Sequence, residues 1–263
     1  MIVRNESDGS VVMITQNDHA KLAGLFAAHW GNRQFERPRP YVSMMRAAQY
    51  HDSGWLRYET NPYLDPATGK SPSYQQVPND AMQLAAYQAA IDMLTDVDSY
   101  SGLMISKHRT GLWQSRYGAV TQPPPGPPRQ LSEDIRNFIA KNEARQQTIA
   151  GGFDGNDIAV NYHLLQVWDL LSLYICSHQQ HQAHVIAPAP TGYTGATGVA
   201  LTLTPTSPAT IMIDPFPFDQ TPLEAAVVYR RLPQSALRDA DAFKAAYFGA
   251  RPQTAVFTFV GAR

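Results

Sequence analysis

A histidine and an aspartate stand side by side in the run Gln49-Tyr50-His51-Asp52-Ser53-Gly54-Trp55, near the end of a segment whose apolar residues recur at helical spacing. An unpaired charge on the buried side of such a segment is costly. The pair therefore needs a compensating partner, either another side chain or a metal ion. Three more polar residues fall in the same kind of setting: His19 with Leu22, Ala23, Phe26 and Trp30, His108 with Met104, Ile105 and Leu112, and Asp169 amid Val160, Leu164, Leu165, Val167 and Trp168. Each lies on the inward stripe of a different helical segment. Imidazole nitrogens and carboxylate oxygens together suit a divalent transition metal such as iron, manganese, zinc, cobalt or nickel, without selecting among them. Lys107 and Arg109 flank His108 and are candidates to meet an anionic substrate, where cations would neutralise charge developing in a transition state. Neighbouring side chains on a helix diverge, so at most one of these two faces the centre. Glu59, eight positions after His51, lines the same pocket if the helix runs that far.

The elements that must hold these residues are legible from their punctuation. Residues 1–15 read as a hairpin around Asp8-Gly9. Thr15 starts a helix that Gly31 can stop, and Pro40 opens a second one that puts Met44, Met45, Ala48, His51, Asp52 and Trp55 on one broad face. The stretch from Tyr58 to Pro78, rich in Pro, Gly, Ser and Asn, is long for an aperiodic connection and reads as a lid or pocket wall. Asn79-Asp80 caps a third helix, a fourth follows Ser99, and Pro123-Pro124-Pro125-Gly126-Pro127-Pro128 forms a stiff, extended connector. Ser132 with Glu133 and Asp134 restarts helix. The segment from Ile158 to Ser177 is apolar nearly all round and therefore central. Strand-like runs follow at 199–203, 210–213 and 225–229, then a helical stretch near Ala236 to Phe248 and a last strand at 255–260. This pattern predicts a mainly α protein of one domain, residues 1–263. Its helical metal-binding core spans about 15–180, and a small appended sheet is formed by residues 1–14 and 185–263.

Composition narrows the class without naming a reaction. A chain of 263 residues with 44% apolar and 16% charged residues is globular and long enough to bury a substantial core. A net charge of -1 leaves no basic footprint for nucleic acid. No apolar stretch is long enough for a membrane span, and the first residues lack the pattern of a secretory signal. The lone Cys176 precludes an intrachain disulfide, so a cytoplasmic setting is expected. A small-molecule substrate is the expected partner, and the oligomeric state is not legible.

The order of a first His, then a His-Asp doublet, then a distant Asp resembles the HD-domain superfamily of metal-dependent phosphohydrolases and its oxygenase offshoots. Carried over, that resemblance implies His19, His51, Asp52 and Asp169 as ligands of one metal in a helical bundle. It implies a hydrolase acting on a phosphate ester through metal-activated water, with Asp52 also orienting the water and His108 and Lys107 or Arg109 meeting the phosphate. The runs Thr15-Gln16-Asn17-Asp18-His19-Ala20, His51-Asp52-Ser53-Gly54-Trp55 and Pro215-Phe216-Pro217-Phe218 are similar, more closely, to an uncharacterised bacterial domain-of-unknown-function family (DUF3891-like), which implies no activity. Two-metal members of the superfamily, including the di-iron oxygenases, carry two more histidines between the doublet and the last Asp. His108 fills one such place, whereas His163 falls on the wrong side of the helix that carries Asp169.

Two other readings compete with the hydrolase. One is a di-iron oxygenase of HD type with His108 as an extra ligand. The other is a non-catalytic helical protein whose buried polar cluster only fixes its packing. Elsewhere the plainer interpretation holds: His178, His181 and His184 close the last turn of a helix, Cys176 fills core space, and Pro215-Phe216-Pro217-Phe218 is a rigid edge that packs two rings.

Overall fold

In the computed structural model, which describes residues 1–116, 130–177, 181–194 and 198–262, the first turn forms as its sequence dictates. Asp8 Oδ1 accepts from the backbone and hydroxyl of Ser10 at 3.0 and 2.6 Å, and Gly9 takes the left-handed φ of +79° that closes the hairpin. Strands β1 (Ile2–Asn5) and β2 (Val11–Ile14) result. The proline-rich run from Pro123 to Pro128 and His178 lie outside the described residues.

The helices begin at their caps. Thr15 accepts from Asp18 N at 2.9 Å and starts α1 (Gln16–His29), which leads to α2 (Tyr41–Tyr50). A 3-10 turn at Ser53–Trp55 and the single-turn α3 (Leu56–Glu59) follow. Asp80 caps α4 (Ala81–Val97), Asp98 caps α5 (Ser99–Trp113) and Ser132 caps α6 (Glu133–Ala150). The apolar α7 (Gly155–Ser177) is central, with Leu165, Val167, Trp168 and Leu171 fully enclosed. None of the helices among the described residues is long and apolar enough to cross a membrane.

The remaining strands are β3 (His184–Ala189), β4 (Val199–Ser207), β5 (Thr210–Asp214), β6 (Leu223–Leu232) and β7 (Gln253–Gly261), with α8 (Ala240–Gly249) before the last. The helical stretch expected near Ala236 to Phe248 is split, because Asp239 caps a new helix after a 3-10 turn at Gln234–Leu237. All seven strands join one sheet in the order β1-β2-β6-β7-β5-β4-β3, antiparallel except at β5 and β7.

This sheet corrects the expected mainly helical bundle with a small appendage: the fold is α/β, with a seven-stranded mixed sheet curved into a half-barrel. The hairpin does join the C-terminal strands as expected; what local pattern does not reveal is the extent of the layer, which gains β3 and is buried on both faces at β2. Val11 and Val12 stand opposite Leu232 and Arg231, so the N-terminal hairpin extends the C-terminal strands into a full layer. One face of β2 carries Val12 and Ile14 into the main core with α1 and α7. The other carries Val11 and Met13 against Phe243 and Tyr247 of α8. A strand buried on both faces is an interior strand. Pro215-Phe216-Pro217-Phe218 belongs to the joint between the layers: Phe218 stacks on Phe26 at 5.6 Å, and Pro217 O accepts from Gly31 N at 3.0 Å.

Candidate metal centre

The structure brings together His19, His51, Asp52, His108 and Asp169, all at most 5% exposed. His19 comes from the second turn of α1, His108 from α5 and Asp169 from α7. The doublet departs from the expected continuous helical face: α2 ends at Tyr50, His51 is its C-cap, and Asp52 leaves helical geometry with φ −111° and ψ 17°. That break has a consequence for chemistry. Adjacent residues inside a helix diverge, whereas here both side chains converge on one point.

Around that point His19 Nε2 lies 2.9 Å and His51 Nε2 3.2 Å from Asp169 Oδ1, and the two nitrogens are 3.2 Å apart. Asp52 Oδ2 stands 3.6 Å from His19 Nε2 and 3.7 Å from His51 Nε2. Ligands held at 2.0–2.2 Å in tetrahedral or octahedral geometry are themselves about 2.8–3.6 Å apart. The spacing of His19, His51 and Asp169 therefore fits one ion, and Asp52 stands at or just beyond the upper end of that range.

The hydrogen bonds behind the rings fix which nitrogen faces inward. His51 Nδ1 is 2.7 Å from Ala48 O, which can only accept, so Nδ1 carries the proton. Ser172 Oγ donates to Asp169 O at 2.8 Å and hence accepts from His19 Nδ1 at 2.7 Å. Neutral rings so arranged point two Nε2 lone pairs at each other, next to two carboxylates. That grouping requires a cation, either a proton or a metal. Burial alone lowers the His19 imidazole, but Asp169 and Asp52 override it and lift it to about 9. His51 is raised against burial by Asp52 and Asp169. Burial opposes the charge on both carboxylates, yet His19 and His51 hold Asp169 well below the carboxylate range, and His51, His108 and His19 do the same for Asp52.

His108 Nε2 is 3.7 Å from Asp52 Oδ1, and its ring meets His51 edge-on at 4.7 Å. Burial lowers its imidazole, with Asp52 opposing. Among the described residues two groups can hold a metal ion, His19-His51-Asp169 and His51-Asp52-His108. They share His51, whose Nδ1 is already committed to Ala48.

The flanking cations go elsewhere. Lys107 Nζ lies 5.4 Å over the ring of Tyr162, and burial and Arg116 lower its ammonium. Arg109 is clamped at 4.0 Å from both Tyr87 and Trp113, and Nη2 donates to Asn79 Oδ1 at 2.8 Å. It reaches the centre through Tyr87, whose hydroxyl donates to Asp52 Oδ1 at 3.1 Å. Glu59 Oε1 accepts from Gln16 N at 2.5 Å, and Gln16 Nε2 donates to Asp52 Oδ2 at 3.1 Å. Glu59 also lines a shallow cleft with Trp55, Tyr58, Tyr63 and Val77, so residues of the long loop form its wall. His163 stands outside the cluster, while His181 and His184 lie against the ring of Tyr174 rather than forming a site.

Sequence reasoning missed Gln16, Tyr87 and Ser172. Gln16 and Ser172 carry a usable signal, each standing three residues along a helix from a donor, where side chains share a face. Tyr87 carries none.

The family model described as "Protein of unknown function (DUF3891)" matches residues 1–234, a span that includes every donor above. The chain belongs to that family. No curated protein and no solved structure matches it.

Proposed function

We propose that this member of the DUF3891 family is a metal-dependent hydrolase of HD type, acting on a phosphate ester, with His19, His51, Asp52 and Asp169 as ligands of one ion. The observation that supports it is the pair of imidazoles whose Nδ1 atoms are both tied to the protein, so that both Nε2 lone pairs meet two carboxylates at ligand spacing. A divalent ion bound there supplies Lewis acidity and a coordinated water of lowered pKa.

The chain's own residues do the rest. Ser172 and Ala48 orient the two rings. Gln16 and Tyr87 hold the two oxygens of Asp52 by separate hydrogen bonds, so the carboxylate keeps one face toward the centre. His108, 3.7 Å from Asp52 Oδ1 and lowered by burial, is positioned to accept or return a proton at Nε2. Arg109 and Lys107 act at a distance in this reading, since Tyr87 and Tyr162 stand over them.

The di-iron oxygenase reading needs a second ion at His51-Asp52-His108, and the shared His51 argues for a single ion with His108 beside it. Elemental analysis of the purified protein, paired with a panel of phosphomonoesters and phosphodiesters, tests the proposal. One transition metal per chain is expected, lost in His51→Ala together with any esterase activity. A protein that purifies without metal, takes none up, and is unchanged by His51→Ala is instead a non-catalytic α/β scaffold with a structural polar cluster.

A further inference from the structure

The sheet borders a second, partly open cavity, of about 100 Å³, that belongs to no part of the metal centre. Its origin lies in the strand register. Ile14, Val12 and Arg4 share one face of the hairpin, and pairing of Val12 with both Arg4 and Arg231 places those three in one cross-strand row. Val227, Tyr229 and Arg231 alternate onto the same face of β6. Ile175 of α7, six residues beyond Asp169 and so about 9 Å farther along the helix axis, closes the floor. The result is an apolar floor of Val12, Ile14, Ile175 and Val227 beneath a rim of opposite charges.

The rim is specific in what it leaves unmet. The Glu6 side chain is only 7% exposed, Arg4 Nε is 3.4 Å from its Oε1, and that oxygen accepts no hydrogen bond among the described residues. Buried carboxylate oxygens are normally given donors. Across the mouth, Arg231 is anchored by Nε to Ser10 Oγ and by Nη2 to Asp8 Oδ2, both at 2.8 Å, which holds a guanidinium at the cavity edge.

We infer that this cavity binds a small zwitterion with an apolar body, of the chemical class of an aliphatic or aromatic α-amino acid. Its ammonium would donate to Glu6, its carboxylate would face Arg231, and its side chain would lie on the floor. The inference is independent of the hydrolase reading, because it uses none of the metal-centre residues.

Calorimetric titration of the full chain with L-leucine and L-phenylalanine tests it, alongside 4-methylpentanoate, which lacks the amine, and 3-methylbutylamine, which lacks the carboxylate. The expected result is one saturable site per chain for at least one amino acid, with both single-charge analogues about tenfold or more weaker. Glu6→Gln should weaken binding by a similar factor. Val227→Trp, which fills the cavity, should abolish binding while metal content and circular dichroism stay unchanged. If that bulky variant does not fold, the smaller Ala255→Leu serves the same purpose at the cavity wall. No saturation by either amino acid up to about 10 mM, equal binding of an analogue, or binding that survives both Glu6→Gln and the filling variant overturns the proposal.

Discussion

Ser172 decides which nitrogen of His19 faces the centre, although it offers no ligand atom itself. Its hydroxyl donates a hydrogen bond to Asp169 O and accepts one from His19 Nδ1. Ser172→Ala removes that acceptor inside a fully buried site, freeing the ring to take the other tautomer or rotate. Under the proposed function, metal affinity should fall about 10–100-fold, the usual scale for losing a hydrogen bond behind a ligand. Competition against a chromophoric chelator measures it. Unchanged affinity in a folded variant would show that the bond does not orient the ring. At this scale the sequence was informative about donors and silent about their supports. A buried histidine or aspartate stands out against apolar neighbours, whereas a serine on a helix is ordinary. Lys107 and Arg109 show the same limit: adjacency to His108 identified them, but ring stacking set their directions.

Among the elements, the break after α2 is what lets adjacent side chains share one centre, and Gly54 lets α4 pack against the turn that follows it. A Cβ on Gly54 would lie 2.6 Å from the ring of Tyr87 and 2.9 Å from its backbone, so α4 can pass this close only over a bare glycine. Gly54→Ala should cost about 1–3 kcal/mol, the range for overpacking. It should also weaken metal uptake by shifting Tyr87 from Asp52; chemical denaturation and metal titration read the two effects separately. The α5 cap gives a second test. Asp98 accepts from Tyr100 N and Ser101 N, pairs with Arg46 at 2.5 Å, and is held below its usual 3.8 by Ser101, Ser43 and Arg46 in spite of desolvation. Asp98→Asn keeps an equally good cap but loses the charge that pairs with Arg46, and should destabilise the protein by about 0.5–1 kcal/mol at neutral pH. Because the folded carboxyl is depressed, its charge-dependent contribution is full above pH 3.8 and is lost as pH falls through the lower folded value. The difference between wild type and variant should therefore narrow below about pH 4, as urea titrations at a series of pH values would show. Caps, turns and periodic stripes made these helices and strands legible one by one. The end of α2 at Tyr50 was not, since nothing in Gln49-Tyr50-His51-Asp52 forbids another helical turn.

At the scale of the whole molecule, the joining of the N-terminal hairpin to the C-terminal strands was legible, and the size of the resulting layer was not. Alternation marks short strands one by one, whereas register with β6, some 220 residues away, and the unforeseen β3 make them one seven-stranded layer. That layer backs α1 and α7, while α2 and α5 complete the cluster, so the five polar side chains tie together helices whose sequence positions span 16 to 177. A ligand that binds only the folded cluster must then stabilise the fold as a whole, by about 2.7 kcal/mol at a hundredfold excess over its dissociation constant. For a chain of this size that corresponds to roughly 5–10 °C in melting temperature. Stripping the protein with a chelator should lower the melting temperature by about this amount, and restoring the native metal should reverse it. His51→Ala should start low and respond to neither treatment. A wild-type melting curve that is the same with and without chelator, in protein shown by elemental analysis to have lost an ion, would place that ion outside the cluster joining the four helices.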